Sequence, residues 1–389
     1  MTVSTEAIPG VDFALSEDQE LLRETVRRFA EERIAPGEAE RDREHRFPEE
    51  IVGELAELGL LGMLIPEEHG GAGLDPLTYA LAIEELSRIS PSVGVTVSVT
   101  NSVCAWPVAR FASDALKARV LPELAEGALG GFGLTEPGAG SDAGSLTTRA
   151  HRDGDDWVLE GEKAWITNAG YARWFVVVAR TDPDAGKRGL SAFVVPWDAP
   201  GLSIGVPEEK VGLRSSRTAP LVFDGCRVPA ANLLGEEEQG LKIALATLDH
   251  SRLGIAAQAL GIHQRALELA VAYARDRVQF GVPIARHQAV RFQIAEIATG
   301  LAASRLLTYR AAVEPEGTGR AGRAASQAKM FASEAANRAV WLSQQIHGGN
   351  GFSEEYEIAR LYRDVRVTTI YEGTSEMQRL VIARKLLSA

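Results

Sequence analysis

Along the first third of the chain, apolar residues return every three or four positions, the spacing of one face of an α-helix. Leu21, Leu22, Val26, Phe29, Ala30 and Ile34 form one such stripe, and Ile51, Leu55, Leu58 and Leu61 form a second. Ser16 and Gln19 are spaced as a capping box ahead of the first. Gly70, Gly71 and Gly73 mark a loop, and another helix is predicted over about 76–89. The stretch Val93–Val99 alternates like a strand, but its helical neighbours and the unbroken run towards Trp106 predict helix.

Between 126 and 235 the helical period stops and Gly and Pro become frequent. Asp153-Gly154 is a hairpin-turn dipeptide between 149–152 and 157–160. Trp174–Arg180 and Leu190–Pro196 are β-rich runs, and Leu221–Phe223 continues the pattern. From 236 onwards long Ala-, Leu-, Arg- and Glu-rich segments predict helices at about 241–276, 285–313, 321–346 and 376–387. Phe280-Gly281-Val282-Pro283 breaks the first, and Gly348, Gly349 and Gly351 end the third. The expected fold is mainly α with a central β domain. It has a helical domain at 1–125, an antiparallel, barrel-like β domain at 126–235 and a four-helix bundle at 236–389. Glu314–Gly322 is the nearest thing to a linker.

Composition narrows the function. The 389 residues are 45% hydrophobic, enough for two or three cored domains, and 41 Lys and Arg face 53 Asp and Glu for a net charge of −12. That balance argues against nucleic acid as partner, but one local Arg can still hold a phosphate. Cys104 and Cys226 are the whole cysteine complement, which excludes a disulfide scaffold or a Cys-rich metal site and suits a reducing, cytoplasmic setting. The first twenty residues lack a basic start and an apolar run, and no stretch approaches ~18 apolar residues, so neither a secretory signal nor a membrane span is expected. No Gly-x-Gly-x-x-Gly, phosphate-binding Gly-Lys-Ser/Thr loop, His-Glu-x-x-His or Gly-x-Ser-x-Gly is present, and the seven histidines form no metal-spaced pair.

Four segments keep a chemical reading. In Phe132–Asp142, Gly138 and Gly140 with Thr135 and Ser141 could cradle a phosphate or the polar rim of a flavin, or simply make a turn into the β domain. In Gly161–Asn168, Trp165 and Thr167 lie two residues apart, so one could stack on a planar cofactor while the other bonds its edge; equally, they could be a core ring and a surface hydroxyl. Ser375 and Gln378 have capping-box spacing for the last helix, and Glu372 would sit near its positive end, either as a working carboxylate or as a favourable dipole partner. Arg277, ending the long helix, could reach an anion or complement its own helix terminus.

Taken together and in order, LTEPGAGSDAGS, GEKAWITNAG, FDGCRVPAANLLG, RDRVQFGVPIARHQ, QIHGGNGF and IYEGTSEMQRLVIARKLL resemble the acyl-CoA dehydrogenase family of flavoenzymes, from about Leu15 to the C-terminus. The resemblance implies FAD as cofactor, an acyl-CoA thioester as substrate, its trans-2,3-enoyl form as product, a homotetramer, and an electron-transfer flavoprotein as acceptor. It places Phe132, Leu134, Thr135, Gly140 and Ser141 in the flavin loop, with Ser141 also touching substrate, and Trp165, Ile166 and Thr167 beside the ring. Arg277, Gln279, Phe280, His287, Gln288, Gln345, Gly348 and Gly349 would bind the FAD of a neighbouring subunit. Gly373, Thr374 and Glu376 would close over the cofactor, Asp249, Ser251 and Arg252 would contact substrate, and Glu372 falls at the catalytic base. Some relatives carry that base on the long helix instead; here Ser251 occupies the helix position. Trp106 stands where many relatives have a small residue, on a helix that lines the acyl tunnel. Carrier-protein-bound substrates, or an oxygen-using oxidase or monooxygenase of the same fold, are the alternatives. The C-terminal stretch leans towards short-chain members.

Overall fold

A computed structural model describes residues 14–315 and 319–387. Most of the first twenty residues, and the centre of the 314–322 segment read as a linker, lie outside the described residues.

Seven α-helices come first: α1 (Glu17–Phe29), α2 (Ala35–Glu44), α3 (Glu49–Glu57), α4 (Pro76–Ile89), α5 (Pro91–Val99), α6 (Trp106–Phe111) and α7 (Asp114–Ala125). The Ser16 hydroxyl accepts from the Gln19 N–H at 3.2 Å, and the Gln19 side chain accepts from the Ser16 N–H at 3.1 Å, so the capping box forms. Val26, Ala30 and Ile34 are buried, but Leu21 and Leu58 stay exposed. Adjacent helical residues point about 100° apart, so Leu21 and Leu22 cannot share one narrow face, and Leu22 takes it. Segment Val93–Val99 is helical and buried throughout. Its hydroxyls are satisfied within the helical core: Thr96 donates to the Ser92 carbonyl at 3.0 Å, and Ser98 pairs with the Tyr79 hydroxyl of α4 at 2.9 Å. The alternation therefore reflects buried polar residues with partners, not two faces of a strand.

The middle of the chain forms a sheet from β1 (Leu129–Gly133), β2 (Arg149–Asp153), β3 (Asp156–Thr167), β4 (Ala172–Arg180), β5 (Leu190–Pro196), β6 (Leu202–Ile204), β7 (Thr218–Pro229) and β8 (Leu233–Leu234). The order is β6-β7-β3-β2-β4-β5-β8, with β1 also against β4. Two details differ from expectation. The sheet is mixed, because β1 runs parallel to β4, with Gly131 beside Phe175 and Gly133 beside Val177; its path has two ends and so is not a closed barrel. The β2–β3 hairpin pairs Asp153 with Asp156, so its turn residues are Gly154 and Asp155, with Gly154 at φ +62°. A Gly-rich strand such as β1 carries no alternating pattern, so nothing in its composition announced its direction.

The remainder is helical: α8 (Gly240–Asp276), α9 (Gln288–Val313), α10 (Gly319–His347), α11 (Glu357–Val365) and α12 (Ser375–Leu387), with a small hairpin of β9 (Val278–Gln279) and β10 (Val282–Pro283) after α8. Helices α8, α9, α10 and α12 pack as the bundle, α10 lying against the other three. The 37 residues of α8 span about 55 Å at 1.5 Å per residue. Gly261 lets α4 close in: a Cβ there would come within 2.2 Å of the Glu84 carbonyl oxygen. Among the described residues no helix is long and apolar enough to cross a membrane.

Candidate active site

The Phe132–Ser141 loop leaves β1 and is held from below by a buried ion pair. Glu136 accepts from the Thr147 N–H at 2.6 Å, the Thr148 N–H at 3.0 Å and the Lys163 ammonium at 2.6 Å. Lys163, fully buried on β3, also donates to the Leu134 carbonyl at 3.3 Å. Burial works against the Glu136 charge, but Lys163 and the two threonines hold its carboxyl down to about 2. Burial likewise pulls the Lys163 ammonium down to about 8, against the pull of Glu136. The Ala164 N–H reaches the Thr135 carbonyl at 2.9 Å and joins the loop to β3. Glu136 and Lys163 lie inside two motifs that were noted for other residues. Their pairing spans 27 positions, so no local pattern in the sequence marks it.

On β3 a bulge between Lys163 and Ile166 sets the next residues. Trp165 adopts φ +62° and turns outward, 59% exposed, while Ile166 is buried and Thr167 is half-buried. An open indole face of that size on a buried strand is a ready stacking surface. Asn168, at φ +65°, ends the strand and is fixed by donating to the Gly130 carbonyl at 2.9 Å and the Thr96 carbonyl at 3.2 Å.

Glu372 lies on the loop between α11 and α12 and also has a left-handed backbone, φ +54°, followed by Gly373 at φ +89°. Its carboxylate accepts a hydrogen bond from the Ser251 hydroxyl of α8. The loop is clamped from two more helices. The Lys329 ammonium, buried on α10, donates to the Gly373 carbonyl at 2.8 Å, and the Gln378 amide on α12 donates to the carbonyls of Glu372 at 3.2 Å and Gly373 at 2.8 Å. Burial pushes the Glu372 carboxyl above the usual carboxylate range; Ser251, Arg252 and Lys329 pull the other way without cancelling it. Beside it, Arg252 bonds Asp249 and the Ser326 hydroxyl. The expected Ser375–Gln378 capping box does not form. Thr374 is the cap, accepting from the Met377 N–H at 3.3 Å, because the Gln378 side chain is spent on the loop carbonyls.

An apolar cluster of Val95, Val99, Val103 and Leu213 packs against both Phe132 and Tyr371, and so joins the Gly-rich loop to the Glu372 loop. Tyr371 donates to Gln258, which reaches the Pro91 carbonyl at 2.8 Å. Trp106 stacks on His250 with ring centroids 4.5 Å apart, on the α8 side of the site. Around the following loop a cleft of about 430 Å³ is lined by Arg366, Thr369, Thr374, Ser375 and Glu376 among others, and the buried Ser375 hydroxyl has no hydrogen-bond partner. At Gly138 and Gly140 a Cβ would meet nothing within 4 Å. Each of the open loop, the exposed Trp165 ring and this polar cleft has the chemistry that a planar group with a polar rim would need.

The second set of residues lies elsewhere. Arg277, Gln279, Phe280, Gln288, Gln345, Gly348 and Gly349 are exposed, with His287 half-buried, around the β9–β10 hairpin and the end of α10. Ile284 and Ile346 share a core cluster that holds these two segments together. Ser251 and Arg277 are 26 residues apart along α8, about 39 Å of helix. Within one chain the candidate residues therefore fall into two separated groups.

Comparison with known proteins follows the same outline. Residues 16–128, 131–226 and 238–387 match the descriptions "Acyl-CoA dehydrogenase, N-terminal domain", "middle domain" and "C-terminal domain". The mitochondrial short-chain specific acyl-CoA dehydrogenase of Mus musculus is 48% identical over 374 residues, 96% of this chain and 91% of that protein. The butyryl-CoA dehydrogenase structure from Megasphaera elsdenii superposes with a TM-score of 0.94 at 42% identity, covering 97% of this chain and 100% of that one. A chain from structural work on the electron transferring flavoprotein of Acidaminococcus fermentans gives 0.95 at 42% identity, covering 97% and 100%.

Proposed function

The chain belongs to the acyl-CoA dehydrogenase family, and from that premise we propose that it oxidises a short acyl-CoA thioester to the trans-2,3-enoyl thioester, with Glu372 as the base that takes the α proton. The observation that carries this is the Glu372 carboxyl: half-buried, pushed above the usual carboxylate range by desolvation, and held by Ser251 on a loop that three helices fix. A carboxylate with the usual pKa of ~4.3 is too weak a base for an α-C–H. Burial strengthens it, and substrate that displaces water strengthens it further. Developing negative charge on the thioester oxygen needs a donor, a role the Glu372 backbone N–H takes; losing one such donor costs ~10²–10³ in rate in other enzymes.

FAD, when bound, accepts the hydride that leaves the β carbon. Phe132–Ser141 would hold it through backbone and hydroxyl groups, Trp165 and Thr167 would orient the ring, and Thr374 and Glu376 would close the cleft. Glu136 and Lys163 keep the loop in the shape that does this. Arg277, Gln279, His287, Gln288 and Gln345–Gly349 complete the flavin site of a second subunit in a homotetramer, which their separation from Glu372 along α8 supports. An electron-transfer flavoprotein would be the electron acceptor. Short-chain preference is supported by the 48% identity to the short-chain specific acyl-CoA dehydrogenase of Mus musculus and by the likeness to butyryl-CoA dehydrogenase.

The test is anaerobic titration of the yellow holoenzyme with a series of acyl-CoA thioesters. Butyryl-CoA is expected to bleach the flavin at the lowest concentration; no bleaching by any thioester would overturn the proposal, and stronger bleaching by long chains would overturn the short-chain part. Glu372→Gln is expected to keep FAD and lose at least about 10²-fold in turnover, the lower bound of what a positioned base supplies.

A further inference from the structure

Ser251 is placed by α8 directly beneath Glu372, 1% exposed, with its hydroxyl on the Glu372 carboxylate. The same hydroxyl has a second acceptor in reach, the Leu248 carbonyl of its own helix at 3.3 Å. A serine needs no such outside bond to sit in a helix, since it can donate back to its own turn. The other polar groups that face Glu372 are committed elsewhere. Arg252 on α8 bonds Asp249 and Ser326, and Lys329 on α10 bonds the Gly373 carbonyl. Tyr79 on α4 bonds the Ser98 hydroxyl at 2.9 Å, and Tyr371 on the base's own loop donates to Gln258.

We propose that Ser251 is a positioning residue for the base: its hydroxyl holds the Glu372 carboxylate in the resting enzyme and releases it to the substrate by turning back to the Leu248 carbonyl. This rests on Glu372 being the base. A donor to a carboxylate favours the charged form, so Ser251 opposes the upward push of desolvation on Glu372. Without it, the acid form persists to higher pH.

The experiment compares wild type, Ser251→Ala and Ser251→Thr holoenzymes. The carboxylic acid band of Glu372 is isolated by infrared difference against Glu372→Gln and followed with pH, alongside the acid limb of kcat/KM for butyryl-CoA. Ser251→Ala is expected to move both midpoints upward by about one unit, the size of one hydrogen bond to a charged group, with flavin content unchanged. Ser251→Thr, which keeps the hydroxyl, is expected to restore the wild-type midpoint. An unmoved midpoint in Ser251→Ala, or an equal shift in Ser251→Thr, overturns the positioning role. Near wild-type turnover by Glu372→Gln would instead remove the base assignment, a separate result.

Discussion

Lys163 is the side chain whose burial is hardest to account for without a purpose. An ammonium with no exposure persists because Glu136 meets it at 2.6 Å and the Leu134 carbonyl at 3.3 Å. Removing one partner of such a pair strands the other charge, at a cost of about 3–5 kcal/mol. Lys163→Met is therefore expected to lower the melting temperature and also the flavin-to-protein absorbance ratio, since the Gly-rich loop loses its anchor; a stable variant with full flavin would remove the pair from this role. Acid should act on the same anchor. Glu136 titrates near 2 in the folded chain against ~4.3 unfolded. A depressed folded value means stability that is complete above the unfolded pKa and drains away as pH falls towards 2. Urea midpoints measured at pH 5 and pH 3 should fall by less in Glu136→Gln than in wild type. In the sequence this pair was only two letters within longer motifs, because charge pairing across 27 positions leaves no local pattern.

Helix α12 shows how one element can serve two ends. Its first turn is capped by Thr374, and its Gln378 side chain is turned back onto the carbonyls of Glu372 and Gly373. Those two residues occupy left-handed backbone, φ +54° and +89°. For a residue with a side chain that conformation costs roughly 1–2 kcal/mol and lasts only when its surroundings hold it. Gln378→Ala should therefore loosen the base rather than unfold the helix. The expected outcome is a several-fold lower kcat with KM for butyryl-CoA nearly unchanged; a change confined to KM would contradict it. The helix itself was legible from its apolar spacing, but its cap was not. Ser375 and Gln378 have the right spacing for a capping box, yet the loop carbonyls compete for the same amide, and competition of that kind is invisible until the loop's path is known. The same limit applies to Trp165: its spacing left a stacking face and a core ring both open, and the bulge at Lys163–Ile166 is what turns it outward.

Across the molecule, the length of α8 keeps Ser251 and Glu372 apart from Arg277, and under the proposed function a second copy would bring Arg277 and Gln345 to the flavin. Exposed rings cluster with the distant set: Phe280 is 94% exposed, Phe352 89%, and Trp341 45%. Apolar area of that kind favours a partner. Arg277→Ala is expected to reduce flavin content, and Phe280→Asp to shift sedimentation from tetramer towards smaller species while lowering flavin content with it; a tetramer with full flavin in both variants would refute the shared site. Helix-rich ends and a β-rich middle were already readable, because periodicity and turn residues are local properties of neighbouring positions, whereas Glu372 stood out as a base only through the family resemblance of its motif. The parallel pairing of β1, the Glu136–Lys163 anchor and the Ser251 hydroxyl on Glu372, 121 positions away, depend on which distant segments meet. That is set by packing of whole elements, and no local pattern of residues encodes it.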